Sequence, residues 1–388
     1  MKEGWEYKKL GEVTTKICDG SHNPPKGVEH SEYPMLSSKN IFFDRFDYDS
    51  PRYLSEGDFT EENKRTNISD GDVLLTIVGT VGRTCCVTKP FIPFTLQRSV
   101  AVLKPQKTII TSRFLMYSLH SLSNIWESEA KGVAQKGVYL KQVSNISIPI
   151  PTITEQNDIV CELDLLSGVI EKQKAQLEEL DKLAQSIFYD MFGDPVTNEK
   201  NWDVKKLSEV SKEKLSYGSG ASAIPYDGEL RYIRITDIKD NGELNEDVVS
   251  PNQIDEKYIL REGDILFARS GATVGKTYRH REEYGKCLYA GYLIRLVPNI
   301  EMVMPTYVFG YTKTSYYLEF VRNAQNAVAQ PNINAKQYGH LLICVPPLSL
   351  QQEFAAKVEA IEAMKAKVRQ SLKEVETLFN ERMDYYFN

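Results

Sequence analysis

Three consecutive residues near the start of the chain, Asn23, Pro24 and Pro25, have the types and spacing for chemistry on DNA. They are three of the four residues of the Asn-Pro-Pro-aromatic motif, which holds an extruded base in amino-group DNA methyltransferases. The fourth position must present a ring that stacks on the base, and here it is Lys26. The fragment raises the question of methyl transfer without completing the motif.

A methyltransferase also needs a glycine-rich loop after a strand to hold the methyl donor. The nearest candidates are residues 271–277 (G-A-T-V-G-K-T) and 79–84 (G-T-V-G-R-T), and both are too short for a phosphate-binding G-x-x-x-x-G-K-T loop. No paired-carboxylate nuclease site, ATPase motif or Ser-His-Asp grouping stands out. The sequence therefore disfavours catalysis by this chain, and we predict no catalytic residue in it.

The composition is that of an ordinary globular protein. With 388 residues, 41% of them hydrophobic and 26% charged, the chain has room for two or three domains. Its six cysteines form no C-x-x-C pair and its five histidines never fall at metal-ligand spacing, so we expect reduced thiols and no metal site. No apolar run is long enough to span a membrane and no secretion signal is visible, which predicts a cytoplasmic protein without a membrane partner.

The chain is a tandem duplication. W-E-Y-K-K-L-G-E-V, at residues 5–13, returns as W-D-V-K-K-L-S-E-V at 202–210, with six identities in nine positions. Further pairs follow in the same order: G-D-V-L-L against G-D-I-L-F, A-Q-K-G-V against A-Q-P-N-I, and I-P-I-P-T-I-T-E-Q against I-C-V-P-P-L-S-L-Q. The repeat length is therefore roughly 195 residues.

Each repeat has two parts. About 150 residues are rich in short β-branched or aromatic runs broken by Gly, Pro and Asp, which predicts a mixed, strand-rich domain. The remainder has the period of one long helix. The predicted boundaries are a first domain at 1–150, a central helix at 151–193, a second domain at 194–346 and a C-terminal helix at 347–388.

Both helices show heptad seams of apolar residues in the same phase. The seam residues are Ile159, Leu163, Leu166, Ile170, Leu177, Leu180, Ile187, Phe354, Val358, Ile361, Val368, Leu372, Val375 and Phe379. Polar residues interrupt the seams at Gln173, Lys365 and Arg382, and such positions commonly set the register of a coiled coil. Two equal helices favour a mutual antiparallel coiled coil over helices that each cover their own domain. The predicted class is α+β, with a pseudo-two-fold relation between the domains.

The acidity of the chain lies in its helices. The net charge is −6, yet residues 154–191 alone contain nine acidic and three basic residues. The two strand-rich domains are therefore nearly neutral together. Such domains neutralise few phosphates, so tight DNA binding would need basic partners.

Taken together, the duplicated motifs resemble the specificity subunit of a type I restriction-modification system. The features are the W-x-x-K-K-L-x-E-V opening, the G-D-[VI]-L strand with its following glycine loop, the A-Q-x-x-[VI] loop and the P-x-x-x-x-Q entry into each long helix. The resemblance covers essentially the whole chain. It implies two target-recognition domains, each reading half of a bipartite DNA sequence, held apart by an antiparallel coiled coil.

The resemblance also implies partners and cofactors. Such a subunit has no cofactor of its own and docks two DNA adenine methyltransferase subunits together with restriction and translocase subunits. S-adenosylmethionine, ATP and Mg²⁺ would be bound by those partners. The double-stranded DNA target would be a split site.

Comparison of the two repeats separates shared residues from differing ones. Shared residues such as Trp5 and Trp202 are better candidates for folding or docking, whereas polar residues that differ at corresponding places are candidates for reading different half-sites. The predicted DNA-binding residues are Ser21, His22, Lys26, Ser38, Lys39, Arg83, Gln97, Arg98, Lys136, Tyr217, Ser219, Arg234, Arg269, Ser270, Lys276 and Asn332. Comparison of the repeats sets Ser38 and Lys39 against Arg234 and Asp237, Arg83 against Lys276, and Lys136 against Asn332.

Two other functions stay open from the sequence. A coiled-coil scaffold whose domains bind proteins is compatible with the nearly neutral domains and predicts no sequence-dependent retention of DNA. A stand-alone methyltransferase is disfavoured because no methyl-donor loop accompanies Asn23, Pro24 and Pro25.

Overall fold

The computed structural model describes residues 4–123, 125–126, 137–326 and 332–387. The described residues form two compact units, one drawn from 1–172 and 372–388 and the other from 173–371. Each unit combines one strand-rich domain with part of each of two long helices, Ile153–Phe192 and Leu348–Phe387. The α+β class predicted from the sequence, with two tandem mixed domains, is confirmed.

A four-stranded antiparallel sheet forms the centre of the first domain. The strands are β1 (Glu6–Lys9), β2 (Thr14–Asp19), β3 (Pro34–Leu36), β4 (Ile41–Phe42), β5 (Arg45–Phe46), β6 (Arg52–Tyr53), β7 (Val73–Thr76), β8 (Thr84–Cys86), β9 (Thr95–Leu96), β10 (Val100–Pro105) and β11 (Ser147–Ile150). The helices are α1 (Leu10–Val13), α2 (Glu56–Thr66), α3 (Ser112–Ser121) and α4 (Leu140–Asn145). The sheet has the order β2-β10-β7-β8, β1 pairs with β11, and β3 lies between β6 and β9.

The central sheet of the second domain has the corresponding order. Its strands are β12 (Asp203–Lys206), β13 (Ser216–Tyr217), β14 (Ala223–Pro225), β15 (Arg231–Ile233), β16 (Val249–Pro251), β17 (Ile265–Ala268), β18 (Thr277–Arg279), β19 (Cys287–Tyr289), β20 (Leu293–Leu296) and β21 (Leu342–Val345). The helices are α6 (Pro305–Tyr311), α7 (Ser315–Asn326) and α8 (Ala335–Gly339), and the long helices are α5 (Ile153–Phe192) and α9 (Leu348–Phe387). The sheet order is β13-β20-β17-β18, β12 pairs with β21, β14 with β16 and β15 with β19.

Both faces of each central sheet are covered, which explains why its strands are continuous apolar runs. In β7, Val73 and Leu75 enter one hydrophobic core while Leu74 between them enters another. In β17, Phe267 and Leu266 are divided in the same way. Successive side chains of a strand point to opposite faces, so a strand buried on both faces needs apolar residues at every position.

The repeated Gly-Asp pair makes the turn into the central strand of each sheet. Gly71 and Gly263 adopt positive φ angles of 87° and 82°, a conformation that favours glycine. The following Asp72 accepts a hydrogen bond from the backbone N–H of Ser69, and Asp264 accepts one from the N–H of Arg261. The pair is repeated because each domain needs the same turn.

The repeated glutamines fix the start of each long helix. Gln156 is fully buried, and its side chain donates to the carbonyls of Ile109 and Pro151 and accepts from the N–H of Thr111. Gln351 is buried and makes the corresponding contacts in the second domain, including a hydrogen bond from the N–H of Met304. Because a buried amide must be paired to be tolerated, these residues lock each helix to its domain.

Helix α5 ends where the sequence predicted. Its last residue is Phe192, and Gly193 adopts a positive φ of 76° while its N–H donates to the Tyr189 carbonyl. Such a glycine satisfies the open carbonyls of the last turn, and Pro195 cannot continue the helix. At its start, Thr152 and Glu155 cap each other's backbone N–H.

The two long helices run antiparallel. Within the second unit, Gln173 Nε2 donates to Ser371 Oγ over 2.7 Å, and Lys365 Nζ lies 2.7 Å from Asp181 Oδ1. Residue numbers thus increase along α5 while the numbers of the contacting residues in α9 decrease. All of the predicted seam residues are buried or half-buried: Ile159, Leu163, Leu166, Ile170, Leu177, Leu180, Ile187, Phe354, Val358, Ile361, Val368, Leu372, Val375 and Phe379. The predicted antiparallel coiled coil is confirmed.

The structure holds no membrane-spanning candidate, since none of the described helices is both long and apolar enough to cross a bilayer. All six cysteines are free thiols. No cluster of three or more potential metal ligands from His, Cys, Asp and Glu occurs among the residues that the structure describes.

Candidate DNA-recognition surfaces

At one end of each central sheet, three strand ends lie together with a fourth segment of the chain. In the first domain β2 and β7 end beside the start of β10, which defines a first loop surface of residues 19–22, 77–78, 97–99 and 137–139. In the second domain the ends of β13 and β17 and the start of β20 define a second loop surface of residues 217–219, 269–270, 290–292 and 332–333. Nine of the sixteen candidate DNA-binding residues selected from the sequence lie on these two surfaces.

Glycine holds the segments of each loop surface close together. A Cβ at Gly20 would overlap the Leu96 carbonyl, and one at Gly218 would overlap the Ala290 carbonyl. The neighbouring Ser21 and Ser219 are buried, with 7% and 6% of their surface exposed, and their N–H groups hydrogen-bond across the junction. Both serines therefore belong to the framework that the two domains share. The exposed polar residues beside them are better placed to contact a base.

On the second loop surface, an arginine lies over an aromatic ring. The guanidinium carbon of Arg269 is 4.7 Å from the centre of the Tyr217 ring, and Nε donates to Asn332 Oδ1 over 3.2 Å. Ser270, the next residue, pairs with Asn332 through the backbone. Tyr292 projects beside them with 62% of its surface exposed. Four of these five residues are among the sequence-predicted candidates; Tyr292 is the addition.

On the first loop surface, the corresponding place holds a carboxylate. Asp19 accepts from His22 Nε2 over 2.7 Å and forms an ion pair with Arg65, whose Nε also donates to the Asp19 carbonyl over 2.9 Å. These residues line an open cavity of about 350 Å³ together with Arg98 and Tyr139. The sequence predicted His22 and Arg98 but missed Asp19, Arg65 and Tyr139.

Several predicted candidates are held by contacts within their own domain. Arg83 Nη1 donates to the Ile41 carbonyl over 3.2 Å, Lys276 Nζ lies 2.9 Å from Asp240, and Arg234 bridges Asp237 and Asp247. For Arg234, the hydrogen bonds that its guanidinium donates to Asp237 raise the guanidinium pKa. Lys276 and Arg234 are already paired with carboxylates, and Arg83 already donates to a backbone carbonyl. Each therefore has less charge or fewer N–H donors available for a phosphate.

Three further candidates of the first domain make hydrogen bonds to the backbone or side chains of their own domain. Gln97 is half-buried and its N–H donates to the Leu36 carbonyl, and Ser38 is half-buried and donates its N–H to Ser99. Lys39 is exposed, and its Nζ donates to the Ser50 carbonyl over 2.6 Å. Lys136 lies outside the described residues.

The Asn-Pro-Pro segment is an exposed loop fastened by its backbone. Arg52 Nη1 donates to the carbonyls of Pro24 and Pro25 over 3.3 and 2.8 Å, while Asn23 and Lys26 are exposed. In a base-binding motif the prolines shape the site for the asparagine, whereas here their carbonyls join the loop to β6. The segment is therefore built as a stiff surface loop.

Two of the residue pairings made from the sequence were shifted by one position. The backbone pairs Val78 with Gly137 and Ser270 with Asn332, so the counterpart of Asn332 is Gly137 and not Lys136. Similarly, the short helical turns Ser38–Asn40 and Ile235–Asp237 make Arg234 the counterpart of Ser37. The first correction agrees with the repeat match of A-Q-K-G-V with A-Q-P-N-I, which already aligns Gly137 with Asn332, so the pairing with Lys136 was an error and not a limit of the sequence.

The comparisons with known proteins agree with this architecture. The family described as type I restriction modification DNA specificity domain matches residues 2–182 and 199–377, one match for each repeat. The EcoBI specificity subunit of Escherichia coli is 33% identical over 156 residues, covering 39% of this chain and 32% of that protein. The EcoKI specificity subunit of E. coli strain K12 is 22% identical over 395 residues, covering 94% of this chain and 83% of that protein.

A solved structure shows the same fold. The crystal structure of the type I restriction-modification S subunit from M. genitalium is 14% identical, with a TM-score of 0.57, and the match covers 100% of this chain and 98% of that one. The family match covers both strand-rich domains and most of each long helix. The chain therefore belongs to the type I restriction modification DNA specificity domain family.

Proposed function

We propose that this chain is the non-catalytic subunit that gives a type I restriction-modification complex its DNA sequence specificity. Each strand-rich domain reads one half of a split double-stranded target. The methylation of adenine and the cleavage of DNA are carried out by partner subunits, which bind S-adenosylmethionine, ATP and Mg²⁺.

The observation that carries this proposal is the contrast between shared framework and differing surface. Gly20 and Gly218 build the same backbone junction, yet the residues before them are Asp19 and Tyr217. Bases are distinguished by the donors and acceptors on their edges, so two half-sites of different sequence require different polar side chains on similar frameworks. A protein that bound two copies of one ligand would not need this difference.

The paired helices support a split target. A 40-residue helix is about 60 Å long, and α5 carries most of the acidity of the chain. An acidic helix is repelled by phosphates, so the helices are suited to separate the recognition domains without binding the DNA between the half-sites.

Repeated exposed residues support docking of two identical partners. Lys9 and Lys206 are exposed at matching places at the ends of β1 and β12, and Tyr7 and Val204 are exposed beside them. Residues that are shared between the repeats and also exposed are not explained by folding.

Domain exchange tests the proposal. The chain is expressed with its methyltransferase partner, and methylated adenines are mapped across the genome. We expect a split motif, one half of which changes when residues 1–150 are replaced by the corresponding domain of another family member. Replacing residues 194–346 should change the other half.

Three outcomes would contradict the proposal. A continuous motif that ignores both exchanges would exclude two half-site readers. Absence of sequence-dependent DNA retention in the complex would favour a protein-binding scaffold. Methyl transfer to DNA by the pure chain, supplied with labelled S-adenosylmethionine, would show that it is itself an enzyme.

A further inference from the structure

Arg269 on the second loop surface is fixed in place by both its side chain and its backbone. Its guanidinium lies over the Tyr217 ring, and its Nε donates to Asn332. Its backbone N–H donates to the Tyr292 carbonyl over 3.1 Å, and its carbonyl accepts from the N–H of Ile333 over 2.8 Å. An arginine that is free in solution must lose rotamer entropy on binding, and here much of that loss has already occurred on folding.

The ring beneath the arginine is fixed as well. Tyr217 ends β13, which pairs with β20, and its hydroxyl accepts from the N–H of Ala335 over 3.1 Å. The Tyr217 ring, the Arg269 guanidinium and the Asn332 side-chain amide thus come from three separate segments of the chain. Such support is what holds a binding side chain in a single orientation.

The contacts leave the recognition end of the guanidinium available. Among the described residues, no hydrogen bond occupies the two terminal nitrogens of Arg269, and only Nε is used by Asn332. Two parallel N–H donors match the O6 and N7 acceptors that guanine presents in the major groove. Building on the proposed function, we propose that Arg269 reads a guanine in the half-site of the second domain, with Tyr217 and Asn332 as positioning residues.

The first domain has no such arrangement. The counterparts of Arg269, Tyr217 and Asn332 are Ile77, Asp19 and Gly137, which supply neither a guanidinium nor a platform. The guanine contact therefore belongs to one half-site only. This asymmetry makes the assignment specific to the second domain.

The test uses the full chain in complex with its methyltransferase partner and a duplex that carries its methylation motif. Each guanine of the second half-site is replaced in turn by 7-deazaguanine, which removes the N7 acceptor and keeps the remaining pairing groups. For the wild-type complex, affinity should fall between about 5-fold and 100-fold at one position. For Arg269→Ala, natural DNA should bind more weakly, and the replacement at that position should cause no further loss.

Matched variants distinguish a hydrogen-bonded contact to a guanine from an effect of positive charge alone. Arg269→Lys keeps the charge but loses the fork, so it should behave like Arg269→Ala at the one guanine. Tyr217→Ala and Asn332→Ala should reduce the discrimination at the same position. Arg261→Ala removes an exposed arginine near the opposite end of β17 and should leave the profile unchanged.

The results that would overturn the inference are distinct from failure of the proposed function. A second half-site without guanine, or Arg269→Ala with the wild-type sensitivity to 7-deazaguanine, would exclude guanine reading. Equal weakening at every position, restored by Arg269→Lys, would make Arg269 a phosphate contact. Failure of the wild-type complex to select any split motif would instead refute the proposed function.

Discussion

Lys365 Nζ lies 2.7 Å from Asp181 Oδ1, which joins the two long helices through a cation with only 4% of its residue surface exposed. Glu362 and Glu243 approach the same ammonium at 3.1 and 3.3 Å. Burial alone would lower the pKa of Lys365, but the hydrogen bond to Asp181 and the nearby carboxylates outweigh it and raise the pKa above its usual value. The lysine is therefore charged. Because Glu243 also pairs with Arg369, the carboxylates that depend on this lysine are those of Asp181 and Glu362.

Lys365→Ala should destabilise the chain, because it leaves those carboxylates close together without their cation. We expect a loss of about 2–3 kcal/mol in the free energy of unfolding, less than for a fully buried pair since the carboxylates are partly exposed. Urea denaturation measures the change. Lys182→Ala removes an exposed lysine paired with Glu179 and should cost under about 0.5 kcal/mol, so equal effects of the two variants would contradict the prediction.

Glu162 makes the matching contact in the first unit and should contribute a pH-dependent increment of stability. The hydrogen bond from Arg382 holds the pKa of Glu162 below its usual value, and the Arg382 guanidinium lies 2.8 Å from its carboxylate. A carboxyl whose pKa is lower in the folded state stabilises above its unfolded pKa, and this contribution is lost as the pH falls through the folded pKa.

Glu162→Gln should therefore lower the thermal unfolding midpoint at pH 7, by an amount corresponding to less than about 1 kcal/mol for this partly exposed pair. The difference from wild type should shrink as the pH falls below the ordinary pKa of a glutamate and through the lower pKa of folded Glu162, because the wild-type carboxyl is then protonated in both states. Unfolding scans between pH 3 and pH 8 measure this. A difference that stays constant over the whole range would show that the ion pair is not its cause.

The features that the sequence predicted correctly depend on periodicity or on repetition. The seam from Ile159 to Phe379 was predictable because the heptad period is a local property of each helix. The end of α5 was predictable because Gly193 and Pro195 act on the backbone directly. Arg269 was selected because the two repeats differ at its position, and its contact with DNA stays a prediction.

The missed features depend on contacts between distant segments. Arg65 reaches Asp19 from the end of α2, and no local pattern connects a helix end to a strand end 46 residues away. Likewise, Lys276 was selected for its charge, but its pairing with Asp240 could be seen only in the fold. Charge and residue type identified candidates, whereas burial and pairing decided which of them remain available.

Gly20→Ala should disrupt the first loop surface. A Cβ at this position would overlap the backbone of Leu96 and Gln97, so the junction that carries Ser21 must open. We expect a loss of at least about 2 kcal/mol in stability and loss of selectivity at the first half-site alone. Gly57→Ala is the matched control, because nothing lies within 4 Å of its Cβ and it occupies helix α2, where alanine should stabilise by about 0.5–1 kcal/mol. A Gly20→Ala variant as stable and as selective as wild type would contradict the tight junction.

Arg65→Ala should weaken recognition of the first half-site without affecting the second. Arg65 and His22 both bind the Asp19 carboxylate, so the three side chains present one charged and hydrogen-bonding group at the first loop surface. Removing the arginine leaves Asp19, which has 8% of its side chain exposed, without its ion-pair partner, and the carboxylate then repels phosphate. For the complex with its methyltransferase, we expect binding to fall by between about 5-fold and 100-fold, with altered preference at first half-site positions only. Lys64→Ala changes a neighbouring exposed lysine and should leave the preference unchanged. If Arg65→Ala alters the base preference at the second half-site, or at neither half-site, the cluster of Asp19, His22 and Arg65 takes no part in reading the first half-site.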